Sequence, residues 1–209
     1  MTNKETAKMT LAAGAATIAA AQTSSAAVET ALKTLKTYDW GADPAILKPI
    51  DEAIVATHDN PAARQALEKG LVDALAGGIS RSAQDYVCRR LRVVGTARSV
   101  EALAALLPAE ETSHIARYAL ERIPDEKAVA AMRDALPKVN NKLKPGLIGS
   151  LGKRRDKKSV KAIAKLLGDS NLQVAQAAAE ALGELGDERA LPALVQALQD
   201  EEARWRSQS

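Results

Sequence analysis

Apolar residues recur in the second half of the chain at offsets of three, four and seven, the spacing that forms one face of a helix. In the clearest unit this face consists of Val160, Ile163, Ala164 and Leu167. Residues 168–171 (GDSN) then supply a stop and a new N-cap. A second face follows at Leu172, Val174, Ala178, Ala181, Leu182 and Leu185. The pattern predicts a helix, a tight turn and a second helix.

The same unit returns at a constant interval. Asp125, Asp156 and Asp187 are 31 residues apart, and Leu120, Leu151 and Leu182 keep the same step. A period of this size indicates stacked supersecondary units rather than one closed core. We interpret the three aspartates as helix caps and not as catalysts.

Further helix pairs are predicted upstream. Thr96 and Asp125 each open a first helix, and turns at Pro108–Ser113 and Pro137–Lys144 separate these from second helices. Before them, Ala62–Leu75 and Ser82–Gly95 form a pair, and residues 27–58 form another around the turn at residues 40–44. The predicted fold class is all-α, an α-solenoid of five or six helix pairs.

The repeated residues resemble a known family. Residues 156–200 closely match the pattern Asp-x-x-x-Val-x-x-Leu-x-x-Leu-Leu followed by Ala-x-x-Ala-Leu-Gly-x-Leu-Gly-Asp, with Ile163 at the first Leu position. This pattern is similar to HEAT repeats, specifically the bacterial phycobilisome-lyase-like type, and residues 96–155 follow it recognisably. The resemblance implies a right-handed superhelix whose second helices line a concave surface, and a scaffold that mediates protein–protein interaction.

The two ends of the chain are interpreted separately. Residues 1–26 fit either a signal peptide, with two lysines before a short Ala-rich stretch, or an N-terminal capping helix. Localisation is accordingly cytoplasmic or exported to the periplasm. Residues 27–200 form the predicted solenoid and residues 201–209 a C-terminal tail. No apolar run approaches the roughly 20 residues that a membrane-spanning helix needs.

Composition agrees with closely packed helices. Aromatic residues make up 2% of the chain and Phe is absent, so the core must consist of Ala, Leu, Val and Ile. One cysteine, Cys88, excludes an intramolecular disulfide. Because Cys88 lies three residues before Leu91 on the apolar face, we expect it to be a buried core thiol.

Charge is distributed unevenly, although the net charge is only +3. Residues 138–165 hold ten Lys or Arg against one Asp, whereas residues 166–202 hold eight acids against one Arg. We interpret the basic segment as a solvated face or as a surface that pairs with an acidic partner, and the asymmetry also permits head-to-tail self-association. Nucleic acid is the alternative partner. The candidate basic patch is Lys153, Arg154, Arg155, Lys157, Lys158 and Lys161.

A second candidate surface follows from the resemblance, since the second helices would face the concave side. Two of them carry tyrosines together with arginines, residue types that are favoured at interface hot spots. The candidate partner-binding residues are Tyr86, Arg89, Arg90, Arg117, Tyr118 and Arg122. The alternative is that the tyrosines pack between repeats and the arginines are solvated or pair with acids.

No catalytic constellation is found. Some HEAT-like proteins bind iron through repeated His-Glu pairs, but the two histidines here, His58 and His114, form no such pair and are interpreted as turn residues. We therefore predict no catalytic residues, no metal site and no cofactor. A tetrapyrrole (bilin) lyase remains the enzymatic alternative, on the resemblance alone.

Overall fold

A computed structural model describes residues 25–207, with side chains through Asp200 and that of Glu202. Within this range all regular structure is helical, so the predicted all-α fold is confirmed. The helices are α1 (25–34), α2 (Lys48–Ala56), α3 (Pro61–Ala76), α4 (Arg81–Val94), α5 (Val100–Ala104), α6 (Glu110–Leu120), α7 (Glu126–Ala135), α8 (Lys144–Lys153), α9 (Val160–Ala164), α10 (Leu172–Leu185) and α11 (Leu191–Ser207). The interpretation of residues 1–26 lies outside the described range, except for its last two residues, which begin α1.

The chain divides into two compact units, with the division at residues 84 and 85 inside α4. In the first unit, α2 packs on α3 beside α1, and Leu35, Leu47, Ile50 and Leu71 are fully buried. The backbone at Gly70 approaches α1 closely, because a Cβ there would lie 2.6 Å from a methyl group of Leu32. The helix pair predicted for residues 27–58 is present, with a 3-10 turn at Pro44–Leu47 ahead of α2.

In the second unit the helix pairs form two rows. The first row contains α5, α7, α9 and α11, and the second row contains α6, α8 and α10. Along the second row α6 contacts α8 and α8 contacts α10, while α5 contacts α7 in the first row. Apolar residues from both rows are buried between them, largely as the periodicity predicts: Val100, Leu103, Ile115, Leu120, Val129, Met132, Leu147, Leu151, Val160, Ile163, Val174 and Leu182. Leu172, which the pattern places on the apolar face of the second helix, is instead 79% exposed, because it is the first residue of α10.

Caps set the start and end of the repeated helices. The carboxylates of Asp125, Asp156 and Asp187 each accept a hydrogen bond from the backbone N–H two residues later, at 2.8, 3.3 and 3.0 Å. The predicted role of helix cap is confirmed for Asp125 at the start of α7. Asp187 caps the 3-10 turn Glu188–Ala190 that precedes α11, and Asp156 caps the turn before α9, whose own N-cap is Ser159. At the other end, α10 stops at Gly186, which has the left-handed φ of 57° that a glycine adopts without a steric penalty. One repeat earlier the same position is Arg155, with φ 51°.

Two boundaries differ from their predictions. The boundary between solenoid and tail at residue 200 falls inside α11, which continues to Ser207. The other is the start of α6. The turn expected at Pro108–Ser113 ends earlier, because α6 begins at Glu110. Two glutamates in its first turn favour a helix start there. Thr112 and Ser113, which look like turn residues in the sequence, are buried, and the Thr112 hydroxyl donates to the Leu106 carbonyl at 2.8 Å.

Candidate binding groove

A groove of about 400 Å³ crosses the second row of helices. Its floor consists of small residues on α8 and α10, and its walls carry polar and charged side chains from α6, α8 and α10. The floor residues are Pro145, Gly146, Gly149, Ser150, Ala177 and Ala181. The wall residues are His114, Arg117, Tyr118, Glu121, Lys153, Glu180 and Glu184. The groove therefore lies on the row that the HEAT resemblance assigns to partner binding.

Three glycines on α8 make the groove possible. Gly146, Gly149 and Gly152 recur every three residues and therefore lie near one face of the helix. A Cβ on Gly152 would lie 3.1 Å from the Ala181 Cβ, so this glycine allows α8 and α10 to pack closely. A Cβ on Gly149 would meet no atom within 4 Å, so the floor is open at the middle of α8.

Arg117 forms the rigid wall on the α6 side. Its Nη1 donates to the Gly146 carbonyl and to the Ser150 hydroxyl, both at 2.9 Å, and its side chain is only 16% exposed. Ser150 in turn donates to Glu121 Oε1 at 2.6 Å. Burial lowers the pKa of Arg117, and the nearby Glu121 carboxylate, 3.7 Å away, partly opposes this shift. A Cβ on Gly146 would lie 2.6 Å from Arg117 Nη2, so any larger residue at this position would require the guanidinium to move.

The accessible charges lie at the rim. Lys153 is exposed at the end of α8, and Glu180 and Glu184 are exposed on α10. The amide of Gln176 holds the Glu180 carboxylate at 3.0 Å. Glu184 leans over α8, since its Oε2 lies 2.7 Å from where a Cβ on Gly152 would be. The rim thus offers both charge signs around a floor of small residues.

The predicted partner-binding residues separate into two groups. Arg117 and Tyr118 line the groove, and Arg92 of α4 stacks over the Tyr118 ring at 4.2 Å from its centroid. The others do not line it: Tyr86, Arg89, Arg90 and Arg122. On α4, Arg90 stacks over Tyr86 at 3.6 Å and Arg89 Nε donates to Asp85 at 2.7 Å. Arg122 is exposed in the turn after α6.

The residues of the candidate basic patch do not form one surface, because they lie in different places. Arg154 Nη1 donates to the carbonyls of Glu121 and Ile123 at 3.1 and 2.8 Å, so this charge links two repeats. Lys153 lies at the groove, and Arg155 is exposed in the turn after α8. The remaining three border a second cavity in the first row: Lys157, Lys158 and Lys161.

Sequence reasoning missed most of the groove. Gly146, Gly149, Ala177, Glu180 and Glu184 were not singled out, although they contribute to its floor and rim. The available signal was the three-residue spacing of glycines in α8, because a helix whose small residues share one face leaves room above that face.

The two histidines and the single cysteine lie apart from one another, in different elements. His58 lies in the turn after α2, as predicted, whereas His114 lies inside α6, so its interpretation as a turn residue is wrong. Cys88 is fully buried, as expected. Among the side chains described, no group of three or more His, Cys, Asp or Glu is arranged to hold a metal ion. None of the helices searched in residues 25–207 is long and apolar enough to cross a membrane.

Fold and groove together define an all-α helical-repeat protein with a preformed surface on its second row of helices. The model of the HEAT repeat family matches residues 140–209, which includes α8 to α11. This match supports HEAT repeats in the part of the chain that supplies nine of the thirteen residues lining the groove. Comparison with curated proteins finds no match.

Proposed function

We propose that this protein is a non-catalytic HEAT-repeat binding module that holds a partner protein in the groove across α6, α8 and α10. One observation carries the proposal: three successive second-row helices surround an open groove of about 400 Å³ with a small-residue floor. HEAT repeats commonly mediate protein interaction or scaffolding.

The wall of the groove is ordered before any partner arrives. Arg117 is held by two hydrogen bonds to α8, and Ser150 connects it to Glu121. A surface that is already rigid loses little conformational freedom on association, so more of the contact energy contributes to affinity. The floor at Gly149, Ala177 and Ala181 accepts an apolar side chain, and the rim charges then set its orientation.

Two alternatives have less support. A bilin lyase of the phycobilisome type that attaches its substrate to Cys88 would need an accessible thiol, whereas this sulfur is fully buried. Nucleic-acid binding by the whole basic patch would need its charges to be free, whereas Arg154 is bound to two backbone carbonyls and Lys158 pairs with Glu126.

The test uses a substitution that fills the groove with a large side chain and leaves the fold intact. Gly149→Trp places an indole in the open space above α8, where no atom lies within 4 Å of the new Cβ. Gly183→Trp is the matched control, since Gly183 is equally open on the exposed side of α10 and does not line the groove. We expect the proteins that co-purify with the wild type, quantified by mass spectrometry, to fall about tenfold or more with Gly149→Trp and to persist with Gly183→Trp.

Identical recoveries with both variants would reject the groove as the binding surface. Circular dichroism melting of both variants excludes unfolding as the cause of any loss. The charge reversal of Arg117 is unsuitable for this test, because that side chain is 16% exposed and holds two repeats together.

A further inference from the structure

A second cavity, of about 490 Å³, lies in the first row of helices, between α9 and the start of α11. We call it the lysine cleft. Its rim carries Lys157, Lys158, Lys161, Lys165 and Arg189, and its floor is Val160, Ala164 and Ala193. Within the described part of the chain, no acidic residue lines the cleft, and the cleft shares no residue with the groove on the second row.

Only part of this positive charge is neutralised. Arg189 pairs with Asp187 at 2.7 Å and donates to the Lys157 carbonyl at 3.0 Å, and Lys158 pairs with Glu126 at 2.8 Å. Lys157, Lys161 and Lys165 form no ion pair with the described residues. The positive charge of the cleft also acts on a neighbouring carboxylate. Arg189 and, more weakly, Lys157 lower the pKa of Asp187.

The repeat itself does not require these lysines. The 31-residue register allows the lysine positions to be compared with those of the neighbouring repeats. One repeat earlier they are Glu126, Lys127, Ala130 and Asp134, and one repeat later Glu188, Arg189, Pro192 and Gln196. The position of Lys158 is basic in all three repeats, as Lys127, Lys158 and Arg189. The other three positions accept acidic, small and neutral residues in the neighbouring repeats, so Lys157, Lys161 and Lys165 are a property of this one repeat.

We infer that the lysine cleft binds an acidic, amphipathic segment of a partner protein. The carboxylates of such a segment meet the ammonium groups of Lys157, Lys161 and Lys165, and an apolar side chain between them covers Ala164 and Ala193. Two features favour a peptide over a nucleic acid. Among the side chains that the structure describes, no aromatic residue lines the cleft for base stacking. The guanidinium at its rim, that of Arg189, is already bound by Asp187.

The test measures fluorescence anisotropy of a labelled peptide with the full chain. The peptide has leucines at helical spacing flanked by glutamates. Its controls are a peptide of the same composition with the leucines dispersed, and a single-stranded oligothymidylate. We expect the amphipathic peptide to bind more tightly than both, and Lys161→Glu combined with Lys165→Glu to weaken it about tenfold or more. Gly149→Trp leaves this binding unchanged, which separates the cleft from the groove.

The matched control is Lys127→Glu combined with Lys138→Glu. Both lysines are exposed and lie outside the cleft, and the net charge changes by the same amount. We expect this control to reduce the affinity for the peptide by less than about threefold, because charges beyond the cleft are screened. Equal weakening by the two double variants, preferred binding of the oligothymidylate, or no binding of the amphipathic peptide would each overturn the inference.

Discussion

At the scale of single residues, the aspartates that recur every 31 residues form different sets of hydrogen bonds and ion pairs. Asp125 is a simple cap, accepting from the Lys127 N–H at 2.8 Å. Asp156 also accepts two hydrogen bonds from Arg133 of the preceding repeat, with Nε–Oδ2 and Nη2–Oδ1 distances of 2.8 and 2.9 Å. The Asp156 side chain is 4% exposed. A buried, doubly bonded carboxylate and a capping carboxylate occupy the same register position.

This difference predicts unequal costs for the same substitution. Asp156→Ala leaves the Arg133 guanidinium without its buried partner, so we expect the free energy of unfolding to fall by about 3 kcal/mol. Asp125→Ala removes only a cap and should cost about 1 kcal/mol. Urea unfolding of both variants measures the two values, and equal losses would show that the ion pair adds nothing to the cap.

At the scale of helices, α8 is where intrinsic propensity and packing oppose each other. Its three glycines weaken it as an isolated helix, since each costs about 1 kcal/mol relative to alanine. They are tolerated because the chain uses the space: Gly146 admits Arg117, Gly152 admits α10, and Gly149 leaves the groove open. The helix therefore exchanges stability of its own for contacts with α6 and α10.

Two alanine substitutions one turn apart separate these effects. Gly149→Ala meets no atom within 4 Å, so we expect the free energy of unfolding to rise by up to about 1 kcal/mol. Gly146→Ala would place its Cβ 2.6 Å from Arg117 Nη2, so we expect a net loss of about 1–2 kcal/mol despite the better propensity. Thermal unfolding followed by circular dichroism measures both. Stabilisation by both substitutions would mean that Arg117 moves without cost.

The element scale also shows how far the sequence predicts the structure. The apolar faces, the caps and the pairing of helices follow from local periodicity, which is why Val160, Ile163 and Val174 are buried as expected. The start of α6 was missed because Thr112 and Ser113 are polar residues that face inward. Whether a polar residue is buried depends on how its helix packs against the neighbouring helices, and local patterns do not contain that information.

The same limit applies to the candidate sites. Arg117 and Arg154 look like surface charges in the sequence, yet each donates to backbone carbonyls of the neighbouring repeat. The Arg154 bonds span 31 and 33 residues. Such bonds depend on where the end of one helix meets the next repeat, which the period alone does not specify. The sequence therefore predicted the rows of helices correctly but not which charges remain available on them.

At the scale of the whole molecule, the stacked repeats of the second unit are joined by polar links as well as by the core. Glu110 pairs with Lys142, and Glu126 pairs with Lys158, each from one repeat to the next. The hydrogen bond from Lys142 is the main cause that lowers the pKa of Glu110, and the bond from Lys158 does the same for Glu126. In a repeat protein such nearest-neighbour terms contribute to the stability of the stack.

These pKa shifts predict how stability depends on pH. Both glutamates have a folded pKa below the ordinary value of 4.5, so they stabilise the fold fully above that pH. The contribution is lost as the pH falls through the lowered folded pKa values. We expect Glu110→Gln with Glu126→Gln to melt below the wild type near neutral pH, and the difference to vanish in acid.

Melting temperatures of both proteins across the acidic and neutral range test this dependence. The loss of stability of the wild type in acid does not by itself test the prediction, because other carboxylates also become protonated there. The test is the difference in melting temperature between the two proteins at each pH. A difference that stays constant with pH would show that the two ion pairs do not stabilise the stack.

The central claim is that a partner occupies the groove across α6, α8 and α10, and site-specific photo-crosslinking tests it most directly. A small diazirine-bearing amino acid is placed at position 177, in the groove floor, or at position 183, on the exposed side of the same helix. We predict a covalent partner adduct from position 177 that disappears when Gly149→Trp is added, and none from position 183. Adducts of equal yield from both positions, or from position 183 alone, would contradict the account.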